Sequence, residues 1–437
     1  MNRKTKATLF VFSTILSLAT HLNAQAQQHQ QLDFFSSFSN TMAGEPGDFG
    51  TTRITISAYN LENLFDTIHD EGKNDYARLP KSWKNANPDI MRRECEKMST
   101  PFYKKECYEL DWSDAVVQKK LQNMGRSIRA MNGGKGPDIL VVEEVENLRV
   151  LTQLRDTVLA DLGYHSVLLI EGPDSRGIDV GMLSKFPLVD AQLHIVDLSS
   201  PTPRPTAISM EESLNPEWSE AGQFMIQAAQ GGGATRGILE GTFKIGNRYL
   251  TVFGNHWPSQ AAPTEQRARA AWTLYQAASK AYDLKRDVVA LGDFNTLENE
   301  NPNPLAQYLK NPRNPLQFMD AGEEFVRRYN RDQLAPGSHF YQGKWSFLDR
   351  FFVLKQSTGD RMENEWKNFG VHAPDFILED RRSSPPKPKG MDFDLFGELT
   401  ESIAGDLVPS GKVPMRFDPV SGKGFSDHLA LVGTMIF

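Results

Sequence analysis

Val288-Val289-Ala290-Leu291-Gly292-Asp293-Phe294-Asn295-Thr296 is the stretch whose reading decides the fold. Four β-branched or aliphatic residues in a row, too few for a core helix, read as a buried strand. The run then ends abruptly in an acid and an amide. Asp293 and Asn295 are two residues apart, so in extended chain they face the same side. Taken alone, Gly292 to Asn295 is equally a turn held by Asx hydrogen bonds. Repetition is what weighs against the turn. Aliphatic runs ending in acid, amide, arginine or imidazole recur as ISAYNLEN (Asn60, Glu62), ILVVEEVEN (Glu144), SRGIDVGML (Arg176, Asp179), TVFGNHWPS (Asn255, His256) and GFSDHLAL (Asp427, His428). Strands of this kind, side by side, bring their polar ends to one pocket at the sheet edge. That is the layout of a metal-assisted hydrolytic site.

The segments between these motifs alternate. Residues 53–59 read as a strand, and 118–131 has helical spacing that stops at Asn132-Gly133-Gly134. Strands are expected at 139–142, 164–170, 179–184 and 287–291, and helices at 148–162, closed by Gly163, and at 263–283. Residues 237–245 and 249–254 flank Gly246-Asn247 as a hairpin, and 343–353 and 429–436 read as the last strands. The sum is an α/β protein of mixed strands with helices outside. It is one catalytic domain over 53–437, with insertions near 66–114, 199–233 and 356–412.

Composition is that of a globular chain. The formal net charge of -7 argues against a generic basic surface that coats nucleic acid, but a bound divalent cation can supply local positive charge for a phosphate substrate. Arg3, Lys4 and Lys6 precede an apolar stretch from Ala7 to Ala19 and small residues up to Ala26. Residues 1–26 therefore read as a secretory signal peptide, 27–52 as a flexible leader, and the mature protein as secreted or periplasmic. No second long apolar run follows, so no stable membrane anchor is expected. Cys95 and Cys107 would be bridged in an oxidising compartment.

Each motif has a bland reading. Glu144 alone is as readily a solvated loop acid, with Glu143 and Glu146 able to take its place. His256 and His428, each beside an amide or acid, are singly as readily satisfied core residues. In this order, however, the motifs resemble the endonuclease/exonuclease/phosphatase superfamily over residues 54–437, insertions excluded. The pair GDFN and SDH carries most of the resemblance. It implies a four-layered α/β-sandwich, two mixed β-sheets packed face to face with helices outside and the site in the loops at one end.

The resemblance also implies roles. Glu144, Asn60 and Asp427 lie at or near a divalent metal ion, Mg2+ first and Ca2+ or Mn2+ next, although Glu143 stands where the superfamily usually has Gln. Asp293 orients or deprotonates the attacking water, and Asn295 contacts the phosphate. His428 and His256 donate hydrogen bonds to the scissile group, and Asp349 orients His428. Leu348-Asp349-Arg350 departs from the superfamily pattern, which has an aromatic at the third position. Arg176 and Asn255 are expected to contact substrate. The expected activity is metal-dependent phosphodiester hydrolysis, with nucleic acid as first substrate and no protein partner implied. A sphingomyelinase-like enzyme is the nearest rival, using Trp83, Phe102, Tyr103 and Trp112 to dock on lipid. A phosphomonoesterase comes third, and an inactive binding module is the rival of another class.

Overall fold

The computed structural model describes residues 52–199, 234–328, 334–356, 366–381, 408 and 411–436. The expected signal peptide and all of the leader but Thr52 lie outside the described residues. So do 200–233 and most of 356–412.

In chain order the strands are β1 (Arg53–Leu64), β2 (Ile139–Val145), β3 (Ser166–Leu169), β4 (Asp179–Ser184), β5 (Leu188–Asp197), β6 (Ala234–Ile245), β7 (Arg248–His256), β8 (Asp287–Asp293), β9 (Leu316–Asp320), β10 (His339–Tyr341), β11 (Lys344–Ser346), β12 (Asp349–Gln356), β13 (Trp366–His372), β14 (Leu378–Asp380), β15 (Lys412–Pro414) and β16 (Ala430–Ile436). The α-helices are α1 (Lys81–Ala86), α2 (Pro88–Cys95), α3 (Pro101–Glu109), α4 (Asp114–Ala130), α5 (Leu148–Gln153), α6 (Thr264–Asp283) and α7 (Ala321–Arg328).

Twelve of the strands form two six-stranded sheets, ordered β13-β16-β1-β2-β4-β3 and β5-β6-β7-β8-β12-β9. Each sheet is antiparallel except at one central pair, β1 with β2 in the first and β7 with β8 in the second. Of these four central strands, β2 and β8 carry uninterrupted aliphatic runs, because both of their faces are covered. The sheets pack face to face. Small residues permit the close approach: a Cβ on Gly254 would stand 2.6 Å from Val180 Cγ1 and 2.9 Å from Val141 Cγ1, and one on Gly433 would strike the Phe351 ring.

Helices complete the outer layers. α4 turns Val117, Leu121, Met124 and Ile128 onto the first sheet, at the spacing its sequence shows. α6 lays Ala268, Ala271, Leu274 and Ala278 against Phe253, Ala290 and Phe352 of the second. The small residues let this helix sit close to the sheet. The four-layered α/β-sandwich is therefore what the chain forms.

Some elements differ from expectation. The apolar pattern of 148–162 gives an α-helix only over Leu148–Gln153, then a π turn at Leu154–Val158 and a 3-10 turn at Ala160–Leu162, before Gly163 at φ 78°. The strand expected over 343–353 breaks at Phe347-Leu348, so its halves pair with different partners. Strands β5 and β9 were not foreseen, and β13, within the span expected as an insertion near 356–412, pairs with β16 at the edge of the first sheet.

Between β1 and α4, helices α1 to α3 surround a small core of Met91, Cys95 and Cys107, with Tyr76, Trp83, Met98 and Tyr108 packed on it. Cys95 and Cys107 form a disulfide, as expected. Trp83 and Trp112 are taken up by packing, whereas Phe102 and Tyr103 remain 71% and 51% exposed. No helix among the described residues is long and apolar enough to cross a membrane.

Candidate active site

Register builds the site. Asp293 pairs with His256 across β7–β8 and with Asp349 across β8–β12, so three polar side chains occupy one row at the end of the second sheet. On the first sheet Asn60 pairs with Glu143, and Glu144 follows. The facing layers bring these two ends together. Non-glycine residues take positive φ here, with Glu144 at 59°, Asn295 at 47° and Glu62 at 51°. Such strained turns persist where surrounding contacts over-determine them, and they redirect side chains at strand ends.

His428 sits opposite the row. Its Nδ1 lies 2.8 Å from Asp349 Oδ2, which also accepts a hydrogen bond from Ser338 Oγ at 2.6 Å. The Ser426 hydroxyl accepts the His428 backbone N–H and donates to the Asn60 carbonyl, tying the last motif to the first strand. The His339 ring lies 4.5 Å from the His428 ring. Burial works against a charged imidazole, yet the carboxylates of Asp349, Asp293 and Asp427 outweigh it and hold His428 well above the usual histidine range. The surrounding carboxylates thus favour the protonated His428 ring, with Nε2–H as the donor not used by Asp349.

Asp293 is buried beside it. Its two oxygens accept the Asn295 backbone N–H and side-chain amide, each at 2.9 Å. Burial raises its carboxyl to about 7, although His428 pulls it down. A carboxylate there can exchange a proton near neutrality. Asn295 also donates to the Trp257 carbonyl, so its amide positions Asp293 as much as it offers itself to a ligand.

His256 lies 3.8 Å from Asp293 Oδ2 and 3.7 Å from Glu144 Oε1. Arg236 Nη1 donates to His256 Nε2 at 2.7 Å, and the buried Nδ1 has no partner among the described residues. Burial and the Arg236 charge keep this ring neutral, well below the ordinary range. His256 therefore accepts through Nε2 from Arg236, whereas the expectation from the sequence is that it donates to the scissile group. Arg236 is a site residue the sequence reading missed, at the start of a strand outside the quoted motifs. It also pairs with Asp174 at 3.2 Å. Arg176, expected near substrate, is exposed at 47% of its side chain, 3.7 Å from Asp174.

Asn255 does not open onto the pocket. It is fully buried, its amide donating to the Phe253 carbonyl at 2.9 Å and accepting Trp257 Nε1 at 3.0 Å. Its place in the structure is to lock the turn after β7 rather than to touch substrate. Asn60 is likewise buried, with Oδ1 accepting the Glu62 backbone N–H at 2.9 Å. Of the adjacent acids, Glu143 is wholly enclosed between the sheets and Glu144 is partly exposed beside His256.

The acidic end of the site comprises Glu144, Asp427 and Glu62. Arg416 pairs closely with Glu62, and its Nη2 lies 3.6 Å from Asp427 Oδ2. Lys120, buried beneath, donates to the Glu62 carbonyl at 2.8 Å. Among the described residues no group of three His, Cys, Asp or Glu side chains is set to enclose a metal ion by itself. The donor set nonetheless suits a hard cation that keeps its waters: Glu144 and Asp427 are carboxylates at the pocket, and no described donor hydrogen-bonds Glu144.

Residues 118–361 match the sequence profile of the Endonuclease/Exonuclease/phosphatase family. The chain belongs to that family. Its members are phosphoester hydrolases, and the two-sheet sandwich is the family's fold. No curated protein matches the chain. Among solved structures, it is similar to an endonuclease/exonuclease/phosphatase family protein from Bacteroides thetaiotaomicron, at 14% identity over 89% of this chain and 99% of that one, TM-score 0.45. A mannosyl-6-phosphatase from the same organism gives 12% identity, 88% and 99% coverage and a TM-score of 0.43. D. rerio TDP2 complexed with a single-strand DNA product gives 11% identity, 88% and 98% coverage and a TM-score of 0.40. Similarity at this level does not distinguish between substrates.

Proposed function

We propose that this member of the endonuclease/exonuclease/phosphatase family is an exported, divalent-metal-dependent phosphodiesterase acting on nucleic acid. The observation that carries the reading is the His256–Asp293–Asp349 row with a cationic His428 latched to its end. A poised carboxylate and a fixed proton donor beside one pocket are what in-line attack of water on a phosphodiester requires. Asp293 takes the proton of the attacking water. His428 Nε2–H and the Arg236 guanidinium place positive charge against the phosphoryl oxygens as negative charge develops there. Glu144 and Asp427, with Asn60 alongside, would hold the cation, which supplies charge neutralisation and acidifies a water. Mg2+ suits a site with so few protein oxygens.

Nucleic acid is favoured by the exposed arginines on either side. Arg176 stands by His256 and Arg416 by Asp427, where phosphates flanking the scissile one would lie. A lipid phosphodiesterase is the second reading, on the exposed Phe102–Tyr103 pair, whose rings lie 5.4 Å apart.

The test is hydrolysis of duplex DNA, single-stranded DNA, RNA, sphingomyelin and a phosphomonoester, with Mg2+, Ca2+ or Mn2+, with EDTA, and with Asp293→Ala. Cleavage of nucleic acid that both EDTA and the substitution abolish is expected. Turnover confined to lipid or monoester would retain the site and reject the substrate. Full activity in Asp293→Ala would reject the site.

A further inference from the structure

Arg416 lies in the loop that leads to β16, and its partners set it apart. Its side chain is 60% exposed, yet the acid it grips, Glu62, is only 8% exposed. Exposure alone does not mark the pair, since Arg327–Glu324 is similar at 67% and 8%. The Arg416 guanidinium spans two acids: Nε to Glu62 and Nη2 toward Asp427 at 3.6 Å. Glu144 acts on it electrostatically as well. Two carboxylates of the acidic end thus meet at one exposed cation, with the buried Lys120 ammonium behind them.

Carboxylates grouped at the mouth of a pocket repel one another unless something positive lies among them. A divalent cation would serve, and so does this guanidinium. The two would share Asp427 and neutralise the same acidic end, so they compete there. Because Arg416 is tethered by a long, largely exposed side chain, it can leave without disturbing the sheets. Glu62 would retain the Phe417 backbone N–H at 3.4 Å.

We infer that Arg416 is a built-in placeholder for the divalent cation, neutralising Glu62 and Asp427 in the metal-free enzyme and giving way when the cation binds. This rests on the metal-dependent reading above. It implies a trade: Arg416 weakens metal affinity and stabilises the metal-free protein.

The experiment measures Mg2+ binding by titration calorimetry, and melting temperature with and without Mg2+. It uses the EDTA-stripped full chain as wild type, Arg416→Gln, Arg416→Lys and Arg176→Gln. Removing one neighbouring positive charge from a half-exposed site should tighten Mg2+ roughly 3- to 30-fold in Arg416→Gln. Arg416→Lys, which cannot span both acids, should show a smaller gain. The melting temperature of Arg416→Gln should fall without Mg2+ and recover with it; folding only in the presence of Mg2+ would be the same result in stronger form. Arg176→Gln, a charge on the other side of the site, should gain less. Wild-type binding with no gain in either Arg416 variant, or an equal gain in Arg176→Gln, overturns the inference and leaves the metal reading intact. Absence of Mg2+ binding in every variant overturns the metal reading, and the placeholder with it.

Discussion

Asp349 shows how much one residue can carry. It receives Ser338 and His428 on the same oxygen, and it neighbours Asp293 across the sheet. The pH dependence of turnover follows from this arrangement. Asp293 must be ionised to accept a proton, and its carboxyl is raised to about 7 by burial, so the rate should fall below that pH. His428 must stay protonated to donate. The Asp349, Asp293 and Asp427 carboxylates, against the opposing effect of burial, hold it well above its usual range, so the rate should fall again only at alkaline pH. Asp349→Asn removes the charge that leads this effect. The rate constant should drop by about 10²- to 10³-fold, and the alkaline limb should move toward lower pH by more than the acid limb. A pH–rate profile of the variant checks this. An unmoved alkaline limb would mean that His428 is not the proton donor. The residues hardest to foresee are those whose meaning lies in a distant partner. Asp293 with Asn295 and Asp427 with His428 stand in compact motifs, but Arg236 and Arg416 gain their roles from His256 and Glu62, 20 and 354 positions away.

Among the elements, central strands and the edge strand β3 were legible, while the edge strands β5, β9 and β13 were not. β2 and β8 are covered on both faces and read as continuous aliphatic runs, while β1, β7 and β16 were legible from their dense apolar residues. β5 pairs on one side only, through β6, and carries Asp190, Gln192 and His194 on a half-exposed surface, so its pattern matches a loop as well as a strand. The Leu148–Leu162 segment has helical apolar spacing throughout, yet hydrophobic periodicity does not separate α from π or 3-10 winding. Gly292 is where a strand and the chemistry meet. Its φ is 129°, and a Cβ there would collide with the Asn255 carbonyl and stand 2.7 Å from Glu143 Oε1. The β7–β8 pairing that aligns His256 with Asp293 runs through this point. Gly292→Ala should therefore destabilise the fold by more than about 3 kcal/mol, through backbone strain and overpacking together. Urea denaturation measures it. A loss under 1 kcal/mol, on the order of an ordinary surface substitution, would show that the two sheets are not held this close at the site.

For the whole molecule, charge sets a limit on how a polyanion is held. The chain is net acidic at -7, and among the described residues the exposed cations beside the site are Arg176 and Arg416, at 47% and 60% of their side chains. Affinity for duplex DNA falls with salt in proportion to the phosphates neutralised, with a slope near -0.9 for each. Two arginines at the pocket, one of them released only when the cation binds, neutralise few phosphates. The logarithm of affinity against that of salt should therefore have a slope of roughly -1 to -3, shallower than that of proteins that track along a basic groove. Arg176→Gln should flatten it by about 1. Binding of a short, uncleaved duplex to Asp293→Ala, followed across monovalent salt at fixed Mg2+, measures both. A slope of -6 or steeper would require an extended basic surface and would refute recognition confined to the pocket. A slope near zero would remove the phosphate backbone from recognition and turn the substrate assignment toward lipid or monoester. Because the sandwich presents its site in the loops at one end, contact with only a few phosphates is also what the architecture favours.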